Sequence, residues 1–221
     1  MRILAQSSGD ARLIDALQEG KDFHSAVAST VFKTEVTREK NPLLRSRAKV
    51  MNFGLCYGMG AQGLARELHI ARDEADELCR RYFAAMPDVK DYLEESARRA
   101  FECGESRTLS GRRLAFQISP DADETEKSQA GRVAKNMPIQ GTNADILKIA
   151  LSRLRRAFAE KVPQSKVVNC IHDEIVVETT EQDAEQTAII LEEQMVKAAR
   201  KFITAVPVEV EVKIGGFWGD G

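Results

Sequence analysis

The sequence predicts an α+β fold, and two observations carry that prediction. Up to about residue 160, apolar residues recur at helical spacing in segments punctuated by Gly20, Gly58, Pro87 and Gly104. Beyond that point the pattern changes. Lys166–Ile171 and Glu174–Thr179 are β-branched runs two residues apart, and Val208–Ile214 reads as a last strand. Helices followed by antiparallel strands, rather than alternating with them, define the α+β class.

Taken in order, Ser8–Gln18 and Asp22–Phe32 read as short helices separated by Gly20. The next helix is placed at Pro42–Tyr57: Asn41 is a candidate N-cap, Pro42 has no N–H to lose, and Gly58 suits a left-handed C-terminal cap. Ala61–Leu68, Arg72–Ala85 and Asp88–Phe101 follow as helices, with Pro87 breaking the chain between the last two. Residues 104–124 hold Gly104, Gly111 and Pro120 around a short strand-like Arg113–Ile118, which suggests an irregular hairpin. A long helical stretch from Glu124 to Ala159 should be interrupted near Pro138 and Gly141. Glu181–Phe202 is a helix whose apolar stripe is Ala184, Ala188, Leu191, Met195, Ala198 and Phe202.

Composition narrows the class further. With 221 residues, 43% hydrophobic and 30% charged, the chain can bury one large core or two modest ones. No stretch approaches a membrane span and the start lacks an apolar signal region, so a cytoplasmic protein is expected. Cys56, Cys79, Cys103 and Cys170 form no C-x-x-C pair, so reduced thiols are expected rather than a zinc site. The net charge of −2 does not by itself favour nucleic acid. Residues 173–221, however, hold 11 acids against 4 bases, which leaves the rest of the chain net positive.

Three constellations could carry chemistry. Arg45, Lys49, Phe53 and Tyr57 are spaced by four, and so form one stripe about 18 Å long on the helix. Leu44, Ala48, Met51 and Leu55 form an apolar stripe on another face, which is the candidate core face. Two cations followed by two rings on the outward face suit a nucleoside triphosphate, phosphates at one end and base at the other, with His24 a helper. A solvated charged helix would show the same stripe. Arg132, Asn136 and Gln140 repeat the spacing of four and could bridge phosphate and base edges, although polar residues on a wet face look alike. Thr142 with Asp145 could recap the helix after Pro138. Ile171-His172-Asp173-Glu174-Ile175 puts adjacent carboxylates at a hairpin turn, a hard-oxygen site suited to Mg²⁺, though Asp is common in turns.

Together these segments resemble, in order and spacing, the family A DNA polymerases. Arg45-Ser-Arg-Ala-Lys49-Val-Met-Asn-Phe53-Gly-Leu-Cys-Tyr57-Gly58 is similar to that family's motif B, the nucleotide-binding helix of the fingers. Ile171-His172-Asp173-Glu174 is similar to motif C of the palm, and Arg132–Ala144 to the DNA-contacting segment between them. Asp22-Phe-His24 resembles the stretch before motif B, and Thr108-Leu-Ser-Gly-Arg-Arg another recurrent segment.

The resemblance implies a mostly helical fingers subdomain over 1–124 and a C-terminal palm portion over 125–221. It implies that Arg45, Lys49 and His24 hold the triphosphate, with Lys49 counted among the catalytic residues. Phe53 would pack on the incoming sugar and base, where Phe is associated with rejecting dideoxynucleotides. Tyr57 would stand beside the templating base. Arg132, Asn136 and Gln140 would contact primer and template, with His172 near the primer end. Asp173, with Glu174 nearby, would bind catalytic Mg²⁺ in a two-metal site.

One departure stands out. Met1-Arg-Ile-Leu-Ala resembles the segment just after the family's motif A, so the second metal-binding aspartate is expected from outside this chain, as is the thumb. The expected partners are primer–template DNA, deoxynucleoside triphosphates and an upstream polymerase polypeptide, with no membrane. The alternatives are a non-catalytic subunit binding nucleotide or primed DNA, and an inactive remnant.

Overall fold

The computed structural model describes residues 1–20, 22–116, 119 and 121–219. They divide into two units, Met1–Gly141 and Thr142–Gly221. Among the described residues, no helix is long and apolar enough to cross a membrane.

The first unit opens on a helix the sequence did not reveal. α1 (Arg2–Ser8) stops at Gly9, whose φ of 68° forms a left-handed cap, so Ser8 ends one helix rather than starting the next. α2 (Ala11–Gln18) is N-capped by buried Asp10, whose Oδ1 accepts from the Leu13 amide at 3.0 Å. α3 (Phe23–Phe32) is capped likewise by Asp22, which accepts from the His24 amide and the Ser25 hydroxyl.

α4 (Pro42–Cys56) lies where Pro42 and Gly58 place it, but its expected cap is absent. Asn41 sits in the left-handed region at φ 60°, and its amide donates to the Glu35 carbonyl at 3.0 Å instead. A capping side chain reaches back to the first free N–H groups from extended backbone, which Asn41 does not adopt. The apolar stripe does face inward: Ala48, Met51 and Leu55 are fully buried, and Leu44 packs against Ala28, Val36 and Ala48.

α5 (Ala61–Leu68) and α6 (Arg72–Ala85) occupy the expected spans. α7 (Pro87–Cys103) takes Pro87 as its first residue, where a missing N–H has no partner to lose. β1 (Glu105–Arg107) and β2 (Arg113–Ala115) pair antiparallel, with Ser106 opposite Leu114. The strand expected over Arg113–Ile118 therefore ends early; Ile118 and Pro120 lie outside the described residues.

The expected interruption near Pro138 does not occur: α8 runs unbroken from Glu124 to Lys161. Proline offers no N–H to the Ala134 carbonyl one turn back. The Ser106 hydroxyl, from β1, donates to that carbonyl at 3.4 Å. Arg112 Nη2 donates to the Gly141 carbonyl at 2.9 Å. The Ser106 hydroxyl thus meets the carbonyl the proline leaves without its helical donor, the Arg112 contact ties the hairpin's loop to the helix one turn past the proline, and the helix needs no second cap. Thr142 is accordingly a buried residue inside α8 rather than the start of a new helix.

The second unit packs the end of α8 against a hairpin and one helix. Its core is Ala150, Leu154, Phe158, Val162, Ile175, Ile190 and Ala198. β3 (Lys166–Ile171) and β4 (Glu174–Glu178) pair antiparallel with a register shift between Val167 and Asn169. The connecting turn is His172-Asp173, and His172 takes φ 53°, a left-handed value that tight two-residue turns favour. A single 3₁₀ turn (Glu181–Asp183) leads into α9 (Ala184–Ala199). Ser165, Thr179 and Thr187 share hydroxyl hydrogen bonds of 2.7–3.2 Å that tie the base of the hairpin to α9.

Two expectations fail in this unit. α9 stops at Ala199, short of Phe202, although Leu191, Met195 and Ala198 of the expected stripe do meet the core; Thr187, Ile190 and Gln194 are buried beside them, and Gln194 accepts from Arg153 Nε at 3.0 Å. Val208–Ile214 is not a strand: the sheet here has two members, β3 and β4. Val208, Val210 and Val212 are half-buried and Glu209, Glu211 and Lys213 exposed, as the alternation predicts. Alternation chooses a face, but a strand also needs a neighbour offering N–H and C=O groups in register.

Candidate functional site

In the first unit, α4 turns its basic and aromatic edge outward. Lys49 is exposed, Phe53 is 40% exposed, and Arg45 and Tyr57 are half-buried. Lys49, Phe53 and Tyr57 line an open cleft of about 1120 Å³, joined by Met59, Arg66 and Arg132. That volume accommodates a nucleotide, since ligand pockets commonly span about 300–1,000 Å³.

α3 brings His24 to the same edge. The His24 and Phe53 rings lie 5.6 Å apart at 47°, and Phe53 and Tyr57 6.5 Å apart at 34°. The stripe is therefore a run of three rings beside two cations. Neither contact is an idealised stack, and Phe53 keeps part of its surface exposed to the cleft.

Asp22 organises the cationic end of this edge. Having capped α3, its carboxylate also accepts from Arg45 Nε at 2.5 Å and has Arg38 Nε at 3.5 Å. Burial alone would raise the Asp22 carboxyl, but hydrogen bonds from Arg45 and Ser25 and the Arg45 charge hold it well below the usual carboxylate range. Asp22 in turn raises the Arg45 guanidinium. His24 is pushed down, first by burial and then by the Arg45 and Lys49 charges, with Asp22 opposing. Its Nδ1 lies 2.8 Å from Nδ2 of fully buried Asn52 on α4.

The second constellation meets the C-terminal end of α4. Gly58 has φ 80°, and a Cβ there would come 3.1 Å from Arg132 Cγ, so only glycine lets α8 approach so closely. Asn136 Nδ2 donates to the Tyr57 carbonyl at 3.1 Å, satisfying an acceptor the end of α4 leaves free. Asn136 Oδ1 is buried with no hydrogen-bond partner. Arg132 and Gln140 are exposed.

In the second unit, His172, Asp173 and Glu174 are all exposed at the hairpin tip. Glu174 Oε1 accepts from the Trp218 indole N–H at 2.8 Å. Among the described residues, no group of three or more metal-ligating side chains comes together. The donors suit Mg²⁺ chemically, being hard oxygens, but two carboxylates fall short of a complete set.

Sequence reasoning missed Asp22 as the partner of Arg45, and it missed Asn52. The signals were legible. Asp22 stands at a helix start, and Asn52 lies next to Met51 and four residues after Ala48, a polar residue on a face that must be buried.

The family model for DNA polymerase family A matches residues 1–220. The chain is 40% identical over 222 residues to the thermostable DNA polymerase I of Thermus aquaticus, covering 99% of this chain and 26% of that one. It is 38% identical over 221 residues to DNA polymerase I of Mycobacterium tuberculosis, covering 99% and 24% respectively. It spans about a quarter of the length of these curated relatives. Its fold is similar to the POL domain of Pol1 from M. smegmatis, a structure described as a complex with DNA primer-template and dNTP. The TM-score is 0.85 at 36% identity, over 94% of this chain and 36% of that one. The chain belongs to DNA polymerase family A.

Proposed function

We propose that this chain supplies the fingers (residues 1–124) and the C-terminal palm portion (125–221) of a template-directed DNA polymerase. The observation that supports this most is the outward edge of α4, where Lys49, Phe53 and Tyr57 share one cleft with Arg132 and His24 lies against Phe53. The substrate would be a deoxynucleoside triphosphate, bound with primer–template DNA in the bacterial cytoplasm during replication or repair. The primer 3′-hydroxyl oxygen forms a bond to the α-phosphorus, the bond from that phosphorus to the bridging oxygen breaks, and pyrophosphate leaves.

Each residue has a defined part in this reading. Lys49 neutralises phosphate charge as a mobile point cation, while Arg45 offers its terminal nitrogens, Nε being held by Asp22. His24 donates to a phosphate oxygen. Phe53 packs on the sugar and base, and Tyr57 stands beside the templating base. Arg132, Asn136 and Gln140 follow the primer–template, with His172 near the primer end. Asp173 and Glu174 would hold Mg²⁺ together with an aspartate from outside these 221 residues, in a longer chain or a separate upstream polypeptide. When bound, the metal offsets the negative charge of the reacting phosphates.

With that ligand set short, the 221-residue chain alone should bind nucleotide without synthesising DNA. Primer extension by the isolated chain, abolished by Asp173→Ala, would refute the incompleteness. Labelled-nucleotide titration of wild type and Lys49→Ala tests the stripe: a charge-assisted hydrogen bond of about 1.5–3 kcal/mol predicts roughly ten-fold or greater weakening. Equal affinities would remove Lys49 from the site. Binding without extension, even after an upstream polypeptide is supplied, would favour a non-catalytic binding subunit.

A further inference from the structure

We propose that Asn52 is a positioning residue that fixes the tautomer of His24, so that the imidazole meets the triphosphate as a neutral Nε2–H donor. The inference rests on the nucleotide reading given above and specifies how one of its contacts is made.

Asn52 occupies α4 one residue before Phe53 and is fully buried. Its amide nitrogen lies 2.8 Å from His24 Nδ1. An amide NH₂ only donates, so Nδ1 must be the lone-pair nitrogen, and a neutral ring then carries its proton on Nε2. Protonating Nδ1 would set two donors against each other. The opposite amide orientation would place Oδ1 against the ring and require Nδ1–H. His24 would then turn a lone pair toward phosphate oxygens, or take up a proton.

The charges around the ring agree with a neutral donor. Arg45 and Lys49 from α4 act against an added proton, as does burial. Asp22, at the start of α3, acts the other way, but Arg45 is already hydrogen-bonded to its carboxylate. Phe23 and Phe53 face the ring with aromatic edges and faces only. A neutral donor suits a site already holding two cations: it adds direction without adding repulsion.

The test begins with the wild-type 221-residue chain in the absence of nucleotide. Imidazole nitrogen–proton correlation NMR near pH 7.5 should show His24 as the Nε2–H tautomer; an Nδ1–H tautomer or an imidazolium overturns the proposal whether or not variants fold. Asn52→Asp, whose carboxylate accepts a proton donor, should convert the ring to Nδ1–H and raise its titration midpoint. Asn52→Leu should weaken binding of a deoxynucleoside triphosphate about ten-fold, the size of one lost hydrogen bond to a charged group. Adding His24→Ala to Asn52→Leu should then produce little further loss. Additive losses would make Asn52 a packing residue and sink the proposal. If wild type shows the Nε2–H tautomer but binds no nucleotide, the nucleotide reading fails while the tautomer assignment stands.

Discussion

Gly141→Ala should destabilise this protein, although it places a better helix former inside a long helix. On intrinsic propensity alone the change should gain about 0.5–1 kcal/mol. The structure opposes that gain. A Cβ at Gly141 would stand 2.5 Å from Thr108 Cγ2 and 2.8 Å from Met137 Sδ. The Met137 thioether can swing aside. Thr108 cannot, because it is buried and its hydroxyl is bonded to the Arg112 amide at 3.1 Å and to Ser110 Oγ at 2.9 Å. Overpacking of this kind costs about 1–3 kcal/mol, and displacing the loop also strains the Arg112 bond to the Gly141 carbonyl. The net expectation is a loss of about 1–2 kcal/mol. Thr108→Ser removes the obstructing methyl and keeps the hydroxyl. In that background the cost of Gly141→Ala should fall to near zero, a coupling of about 1 kcal/mol or more. Urea unfolding followed by far-ultraviolet circular dichroism reads all four members of the cycle. Stabilisation by Gly141→Ala alone, or an unchanged cost in the Thr108→Ser background, would refute the steric account.

Two other outcomes follow from the same geometry. Asp22→Asn keeps a competent helix cap but loses the charge that pairs with Arg45, and should cost about 1 kcal/mol for this half-buried pair. Because the Asp22 carboxyl is depressed in the folded state, its contribution is present above a free aspartate's pKa and lost as pH falls below it. The gap in urea midpoint between wild type and Asp22→Asn should therefore stay flat from about pH 8 to pH 5 and narrow below about pH 4; a gap that widens on acidification would exclude the pairing. Cys56 is buried, with its thiol pushed up to about 11 by burial despite a hydrogen bond with Tyr82. Alkylation near pH 8 should thus label exposed Cys103 and Cys170 first and Cys56 only on unfolding. Mass spectrometry showing Cys56 modified as fast as Cys103 would overturn its placement.

Much of the fold was legible because the helices are punctuated locally. Gly58, Pro87 and Gly104 mark boundaries through backbone freedom or a missing donor, and those signals need no tertiary partner. The failures share the opposite character. Pro138 should break α8, and does not: the carbonyl it leaves without a helical donor is met by Ser106, from a hairpin more than 25 residues upstream. Val208–Ile214 has a strand's alternation and lacks a ladder. In both cases what decides is a neighbour remote in sequence, a hairpin's donor or a pairing strand, where periodicity carries no information.

The site shows the same division in a sharper form. The spacing of four placed Arg45, Lys49, Phe53 and Tyr57 on one edge, as helix geometry requires. It could not say what holds that edge in shape. Asp22 and Asn52 do so from behind, one by fixing Arg45 and capping α3, the other by orienting His24. Both act across the α3–α4 packing: Asp22 has no spacing relation to the stripe, and Asn52, though on α4 itself, finds its partner on α3. Their polar character was the available clue. A buried amide on the core face of a helix carries a desolvation penalty unless something meets it, and here His24 meets its nitrogen. A polar residue on a face that must be buried thus points to a group worth orienting, before any coordinates are known.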